Sequence, residues 1–221
     1  MKKRSVFLII LLVVAADQAL KIFIKTHYHA GESHMVIGHW FQLYFIENEG
    51  MAYGWKLGGE FGKMLLTLFR LAAVIFGVFY IKKIIEQKYN RGFIICVALI
   101  FAGALGNLID SMFYGLIFGD SSMLIGNVAH IFPKYGYAGF LHGKVVDMLY
   151  FPIIHTRLPL WVPFWGGKYF DFFSPIFNLA DASISIGIIS IFVFQKKFFG
   201  RHSSHSIIKS EKMINEEVEV S

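Results

Sequence analysis

IFNLADASISIG, residues Ile176 to Gly187, opens the last long apolar run of this chain and carries Asn178 and Asp181 on its first turns. A carboxylate near the bilayer centre costs at least about 2.5 kcal/mol, less toward the edge, so one that is kept there has a task. The rest of the sequence supports a bilayer. Over 221 residues the chain is 56% hydrophobic and 16% charged, with a mean hydropathy of +0.56, which excludes an ordinary soluble domain. Four runs reach the roughly 20 apolar residues that cross a hydrocarbon core: 5–24, 64–81, 92–113 and 174–194. Lipid offers backbone groups no partners, so each run reads as a helix.

Charge gives the orientation. Lys2, Lys3 and Arg4 precede the first run, Lys82, Lys83, Lys88 and Arg91 fill the link between the second and third, and Lys196, Lys197 and Arg201 follow the fourth. The positive-inside rule puts both termini and that link in the cytoplasm. The +6 net charge is therefore topological, and no basic patch with stacking aromatics suggests nucleic acid. The first run starts like a leader, but its apolar pattern resumes as ALKIFI, so it reads as a retained span. The organisation expected is a membrane-embedded domain over 1–201, with outside loops at 26–63 and 114–173, and a polar cytoplasmic tail at 202–221.

Several chemistries find little support. The single Cys96 sits inside the third run with no adjacent His to activate it. Ser121 and Ser122 follow Asp120 in a turn-like GDSS without a nucleophile-elbow motif. His27, His29, His34 and His39 crowd one loop, but no H-E-x-x-H helix accompanies them, and they read as solvated residues.

Carboxylates remain. Asp17 and Lys21 lie four apart on one helix face, an ordinary pairing distance. Asn107 and Asp110 lie three apart near the outer end of the third run, and Asn178 and Asp181 repeat that spacing at the start of the fourth. Asp147 follows two valines in KVVDMLYFP. All of them converge on the outer membrane boundary. Two carboxylates brought together there share a proton, so that one can take a proton from water while the other polarises a carbonyl. Intramembrane carboxylates also suit a non-enzymatic carrier or proton-coupled transporter, although those sites favour the midplane of repeated halves.

DQALK at 17–21, ENEGMAYG at 47–54, GALGNLID at 103–110, VVDMLYFP at 145–152 and FNLAD at 177–181 together resemble the lipoprotein signal peptidase family, the signal peptidase II aspartic proteases of bacterial inner membranes. The resemblance implies an all-α polytopic membrane protein with four transmembrane helices plus a small extracytoplasmic β-cradle, to which FQLYFIENEGMAYG contributes. It puts the catalytic pair on Asp147 and Asp181. Asp17, Lys21, Asn48, Gly50, Gly103, Asn107, Asp110, Asn178 and Ala180 become positions that line or support the site. It further implies a monomer acting on lipid-modified prolipoproteins in membrane lipid, cutting just before a diacylglyceryl-cysteine, with water as nucleophile and no metal or organic cofactor.

Two departures stand out. Ser111 occupies the place where the family usually carries Arg after the Asp, which leaves Lys144 or Arg157 as candidate partners for Asp110. The segment from Ser111 to Gly143 is also longer than the family's usual link, as is the one from Ile153 to Phe173. The glycines at 115, 119, 126, 136 and 139 suit a hinged flap covering the carboxylates, the alternative being an insertion that only packs on the cradle. Asp120 and Asp171 fall in these extra stretches and read as non-catalytic.

Overall fold

The computed structural model describes residues 1–49, 59–121, 126–152, 154–157, 159–172 and 175–199. Gly50, the start of the fourth run at Ser174 and the tail 202–221 lie outside the described residues. Helix α1 covers Lys3–His27, α2 Gly59–Glu86 and α3 Arg91–Ile109. A π-helical turn, Asp110–Tyr114, and a last helical turn α4, Gly115–Ile117, continue α3. The third helical run therefore extends past residue 113. Among the described residues, three helical stretches, Lys3–His27, Phe61–Glu86 and Arg91–Ile117, are long and apolar enough to cross a membrane. Helix α5, Leu179–Val193, is apolar but has 15 residues, about 22 Å at 1.5 Å per residue.

The fourth run is corrected at its start. Ile176–Phe177 form strand β6, not helix, and pair with Leu149 and Tyr150. Asn178 then caps α5, its side chain accepting from the Asp181 N–H at 2.8 Å. An Asx cap satisfies one of the first free N–H groups of the helix and so fixes where it begins.

A small antiparallel sheet stands beside the helices, as expected, so the chain is not wholly α-helical. β1 (Ser33–Ile37), β2 (Phe41–Asn48), β3 (Val145–Tyr150) and β6 form an antiparallel sheet in the order β1-β2-β3-β6. β4 (Ile154–Arg157) and β5 (Tyr169–Phe172) form a separate hairpin. Residues 50–54 of FQLYFIENEGMAYG lie outside the described residues, and the short strand expected within that stretch is β2. Its register pairs Ile46 with Asp147 and Asn48 with Val145, which brings Asn48 beside the carboxylate.

Helix α3 is central, packed on α1, α2 and α5. A Cβ on Gly103 would lie 2.2 Å from the Ala180 carbonyl oxygen, and one on Gly187 2.7 Å from that of Cys96. Only glycine lets the α3 and α5 backbones come this close. At one end Val6, Ile84, Ile94 and Phe198 form a core. At the other, Ile24, Phe45, Tyr114, Phe118, Val146 and Met148 bind the helices to the sheet. Phe69, Phe76, Phe79 and Phe192 project outward from the helices, as an apolar solvent demands.

The first insertion folds back onto the end of α3 instead of hinging over the carboxylates. Gly143 N–H donates to the Ser111 carbonyl, Leu141 to Met112, Ala138 to Gly115 and Phe132 to Ile117. A Cβ on Gly136 would lie 2.1 Å from the Gly115 oxygen, and one on Gly143 2.0 Å from that of Asp110. Gly136 and Gly143 thus permit contact between two backbones, whereas Gly126 and Gly139 meet nothing within 4 Å, and the described residues of the insertion pack on the end of α3. The carbonyls of the π-helical turn find partners in the inserted chain, which stabilises an otherwise rare geometry.

Candidate active site

Asp147 is buried on β3. Its Oδ1 accepts from Asn178 Nδ2 at 2.7 Å and its Oδ2 from Asn48 Nδ2 at 3.1 Å. The same Asn178 amide donates to Asn107 Oδ1 at 3.2 Å, and Asn107 Nδ2 donates to Asp181 Oδ1 at 2.8 Å. A relay of two amides thus links the carboxylates of β3 and α5. Burial pushes Asp147 up to about 7, the nearby Asp181 charge adds to the rise, and the bonds from Asn48 and Asn178 oppose it. Two carboxylates placed close together can hold one proton between them.

A pH profile follows from this shift. A raised acid keeps its proton up to neutral pH and loses it above. Activity that needs one protonated carboxylate should therefore fall as pH rises through about 7. A kcat/KM profile that stays flat to strongly alkaline pH would contradict this reading of Asp147.

Beneath the pair lies a buried ionic cluster. Lys21 Nζ stands 2.9 Å from Asp17 Oδ2 and 2.8 Å from Asp110 Oδ2, and donates to Asn107 Oδ1 at 3.0 Å. Each flanking carboxylate also holds a backbone N–H. Asp17 Oδ1 accepts from Ala180, the residue before Asp181, at 2.9 Å. Asp110 Oδ2 accepts from Val146, the residue before Asp147, at 3.3 Å. Lys21 therefore ties together the two anchors that set the two carboxylate-bearing backbones. Gln18 Nε2 adds a bond to Asp110 at 2.9 Å and its oxygen accepts from Tyr114 at 3.1 Å. A Cβ on Gly106 would meet Asp17 Oδ2 at 2.7 Å, so glycine makes room for the cluster.

Residues 9–196 match the family described as signal peptidase (SPase) II. This chain belongs to the signal peptidase II family. It is 46% identical over 187 residues to the lipoprotein signal peptidase of Porphyromonas gingivalis, covering 84% of this chain and 80% of that protein. It is 34% identical to that of Amoebophilus asiaticus over 83% of this chain and 74% of the relative, and 30% identical to that of Staphylococcus aureus over 84% of each. A solved bacterial membrane enzyme matches with a TM-score of 0.55 and 28% identity, over 88% of this chain and 89% of that one. The chain is thus a membrane aspartic peptidase of the signal peptidase II type, and the carrier alternative has no support.

In this signal peptidase II the motif residues Asp17, Lys21, Asn48, Gly103, Asn107, Asp110, Asn178 and Ala180 meet around Asp147 and Asp181, while Gly50 lies outside the described residues. Neither candidate partner of Asp110 serves. Lys144 pairs with Glu47 at 3.1 Å and Arg157 Nε donates to the Gly167 carbonyl, because Lys21 already reaches Asp110. Asp120 is exposed, and β5 sets the Asp171 backbone opposite His155. His27 stacks on Phe23, while His29 and His34 face Glu32.

Two features of this signal peptidase II escaped sequence reasoning. Arg70 of α2 donates from Nη1 to Ser111 Oγ at 2.8 Å, and Ser111 in turn donates to the Asn107 carbonyl at 2.9 Å. The guanidinium stands in the field of Asp181, Asp110 and Asp147, so a positive charge reaches the site from another helix. Its signal was present: Arg70 is the one charged residue of the run 64–81, and such residues are usually functional. The second feature is a cluster in which Lys25 pairs with Glu47, Ser121 Oγ donates to Glu47 at 2.7 Å and Lys144 completes the shell. Burial alone would raise the Glu47 carboxyl, but these partners hold it below its usual range.

Proposed function

We propose that Asp147 and Asp181 share one proton and together activate a water molecule to cut the signal peptide from prolipoproteins, just before a diacylglyceryl-modified cysteine. The observation that carries this reading is the amide relay Asp147–Asn178–Asn107–Asp181, combined with the rise of Asp147 to about 7. The ionised carboxylate takes a proton from water as its oxygen adds to the scissile carbonyl carbon. The protonated one donates to the carbonyl oxygen. Collapse of the tetrahedral intermediate breaks the C–N bond, and a proton passes to the leaving amine.

The membrane reading extends the same proposal. Four spans with both termini in the cytoplasm of a bacterial inner membrane follow from the basic residues that flank them. Asp147 and Asp181 then face the extracytoplasmic side, 26–63 and 114–173 form the outside loops, and 202–221 is a cytoplasmic tail beyond the peptidase domain 1–201. At that level a membrane-embedded signal peptide presents its end, and the diacylglyceryl tails on the cysteine that follows can lie against the outward-facing aromatics of the helices. Binding energy from this remote anchor orients the peptide bond. The protein is proposed to act as a monomer.

The test uses purified protein in detergent with a prolipoprotein peptide bearing the diacylglyceryl group, and the same peptide without it. The expected result is release of the signal peptide from the lipidated form alone, unchanged by EDTA or by Cys96→Ala. Equal cleavage of both peptides would overturn the substrate assignment, and loss with EDTA that zinc restores would overturn the two-carboxylate chemistry.

A further inference from the structure

The β4–β5 hairpin is an arm inserted between the two strands that carry the site. β3, with Asp147, leads into it, and β6, next to Asn178, leads out; the pairs Leu149–Phe177 and Tyr150–Ile176 clamp its base. Its tip is an ordered turn. Val162 N–H donates to the Pro159 carbonyl, Gly166 to Val162 and Lys168 to Trp165, and Arg157 Nε donates to the Gly167 carbonyl at 2.9 Å. A Cβ on Gly166 would lie 2.6 Å from the Leu160 oxygen, so the turn closes tightly.

This rigid turn presents its apolar side chains outward. Phe164 is 94% exposed, Leu160 88%, Trp161 81% and Trp165 60%. Phe164 is moreover held at φ 66°, a left-handed conformation that a bulky residue adopts only when its surroundings impose it. A cluster of four large apolar side chains this exposed is rare on a water-soluble monomer and marks an interaction or membrane site.

We propose that this arm is an interfacial anchor that seats its tip among the headgroups and upper acyl chains of the outer leaflet, fixing the depth of Asp147 and Asp181 relative to the bilayer. Three observations favour lipid as the occupant. From Arg157 to Phe170 the arm contains two Trp, one Arg and one Lys but no Asp or Glu, the composition of a membrane-interface segment on an anionic surface. Its root lies at the level where the helices end, since β6 runs directly into α5 and the sheet packs on the last turn of α1 and on Tyr114. An aromatic series, Trp40, Phe41, Phe151 and Phe177, crosses the sheet to that root with centroids 4.8 to 6.3 Å apart. Trp40 at the β1–β2 turn is itself half exposed, so a second hairpin tip meets the same interface.

The depth of the arm is measured with a nitroxide at Phe164→Cys in a Cys96→Ala background, in nanodiscs of phosphatidylethanolamine and phosphatidylglycerol. Phe69→Cys on α2 serves as a lipid-facing reference. Collisions with oxygen should exceed collisions with a water-soluble nickel chelate at residue 164, as at residue 69. Free access of the nickel chelate to residue 164 would overturn the proposal and point to a protein partner for the tip. The proposal of a fixed depth rests on the peptidase reading, but the collision measurement involves no cleavage, so the two fail separately. The triple substitution Trp161→Ser, Phe164→Ser, Trp165→Ser should slow cleavage several-fold in nanodiscs while leaving it unchanged in detergent. An equal effect in both media would overturn the depth-setting role.

Discussion

Asp147→Asn and Asp181→Asn should each reduce prolipoprotein cleavage by on the order of 10³-fold, within the range that a single acid–base group supplies. An amide can neither take a proton from water nor hold one for the carbonyl, so either change removes one half of the chemistry. The fold should survive. Asp181 receives its bond from Asn107 on one oxygen, which an amide oxygen can replace. At Asp147 both oxygens accept, from Asn178 and Asn48, so an amide turns a donor toward one of these donors, and some stability is lost at that position alone. Asp120→Asn and Asp171→Asn are the matched controls and should cleave normally. Turnover near the wild-type rate by either dyad variant, with protein shown to be folded, would refute the assignment.

Lys21→Met should cost more in stability than any other single change at the site. The substitution keeps an apolar stem of similar length and deletes the charge that faces both Asp17 and Asp110. Removing one partner of a buried ion pair costs about 3–5 kcal/mol, a large part of a typical folding stability of about 5–15 kcal/mol. The loss should appear as a large drop in the thermal unfolding midpoint in detergent. It should be accompanied by loss of cleavage, because Asp17 and Asp110 hold the N–H groups of Ala180 and Val146 beside the two carboxylates proposed to react. Combining Lys21→Met with Asp17→Asn and Asp110→Asn removes the unpaired charges and should recover much of the midpoint. An unchanged midpoint for Lys21→Met alone would remove the ionic cluster from the account.

What the sequence disclosed follows physical lines. The apolar runs and short motifs were legible because a helix in lipid and a site at its end both impose local patterns, such as Asn178 three residues before Asp181. Residues joined only by the tertiary fold were not. Asp17 and Lys21 look like an ordinary i,i+4 pair, and their pairing does occur, yet Lys21 also reaches across to Asp110 of the next helical layer. Ser111 looked like the loss of a positive charge, but Arg70 of α2 supplies one through space. The length of α5 was misread because Ile176 and Phe177 are as apolar as the helix they precede, and only the sheet register makes them a strand. Glycines of the first insertion suggested hinges, since sequence alone cannot tell a flexible glycine from one pressed against another backbone.

The central claim is direct attack by water, activated by Asp147 and Asp181, on the peptide bond before the lipidated cysteine. A single turnover in water labelled with heavy oxygen, followed by mass spectrometry of both products and of the protein, tests it most directly. One labelled oxygen should appear in the new carboxyl group of the released signal peptide, with the lipid-bearing cysteine as the free amino terminus of the other product and no peptide bound to the enzyme. A covalent peptidyl adduct on the chain, or a cut at any other bond, would contradict it.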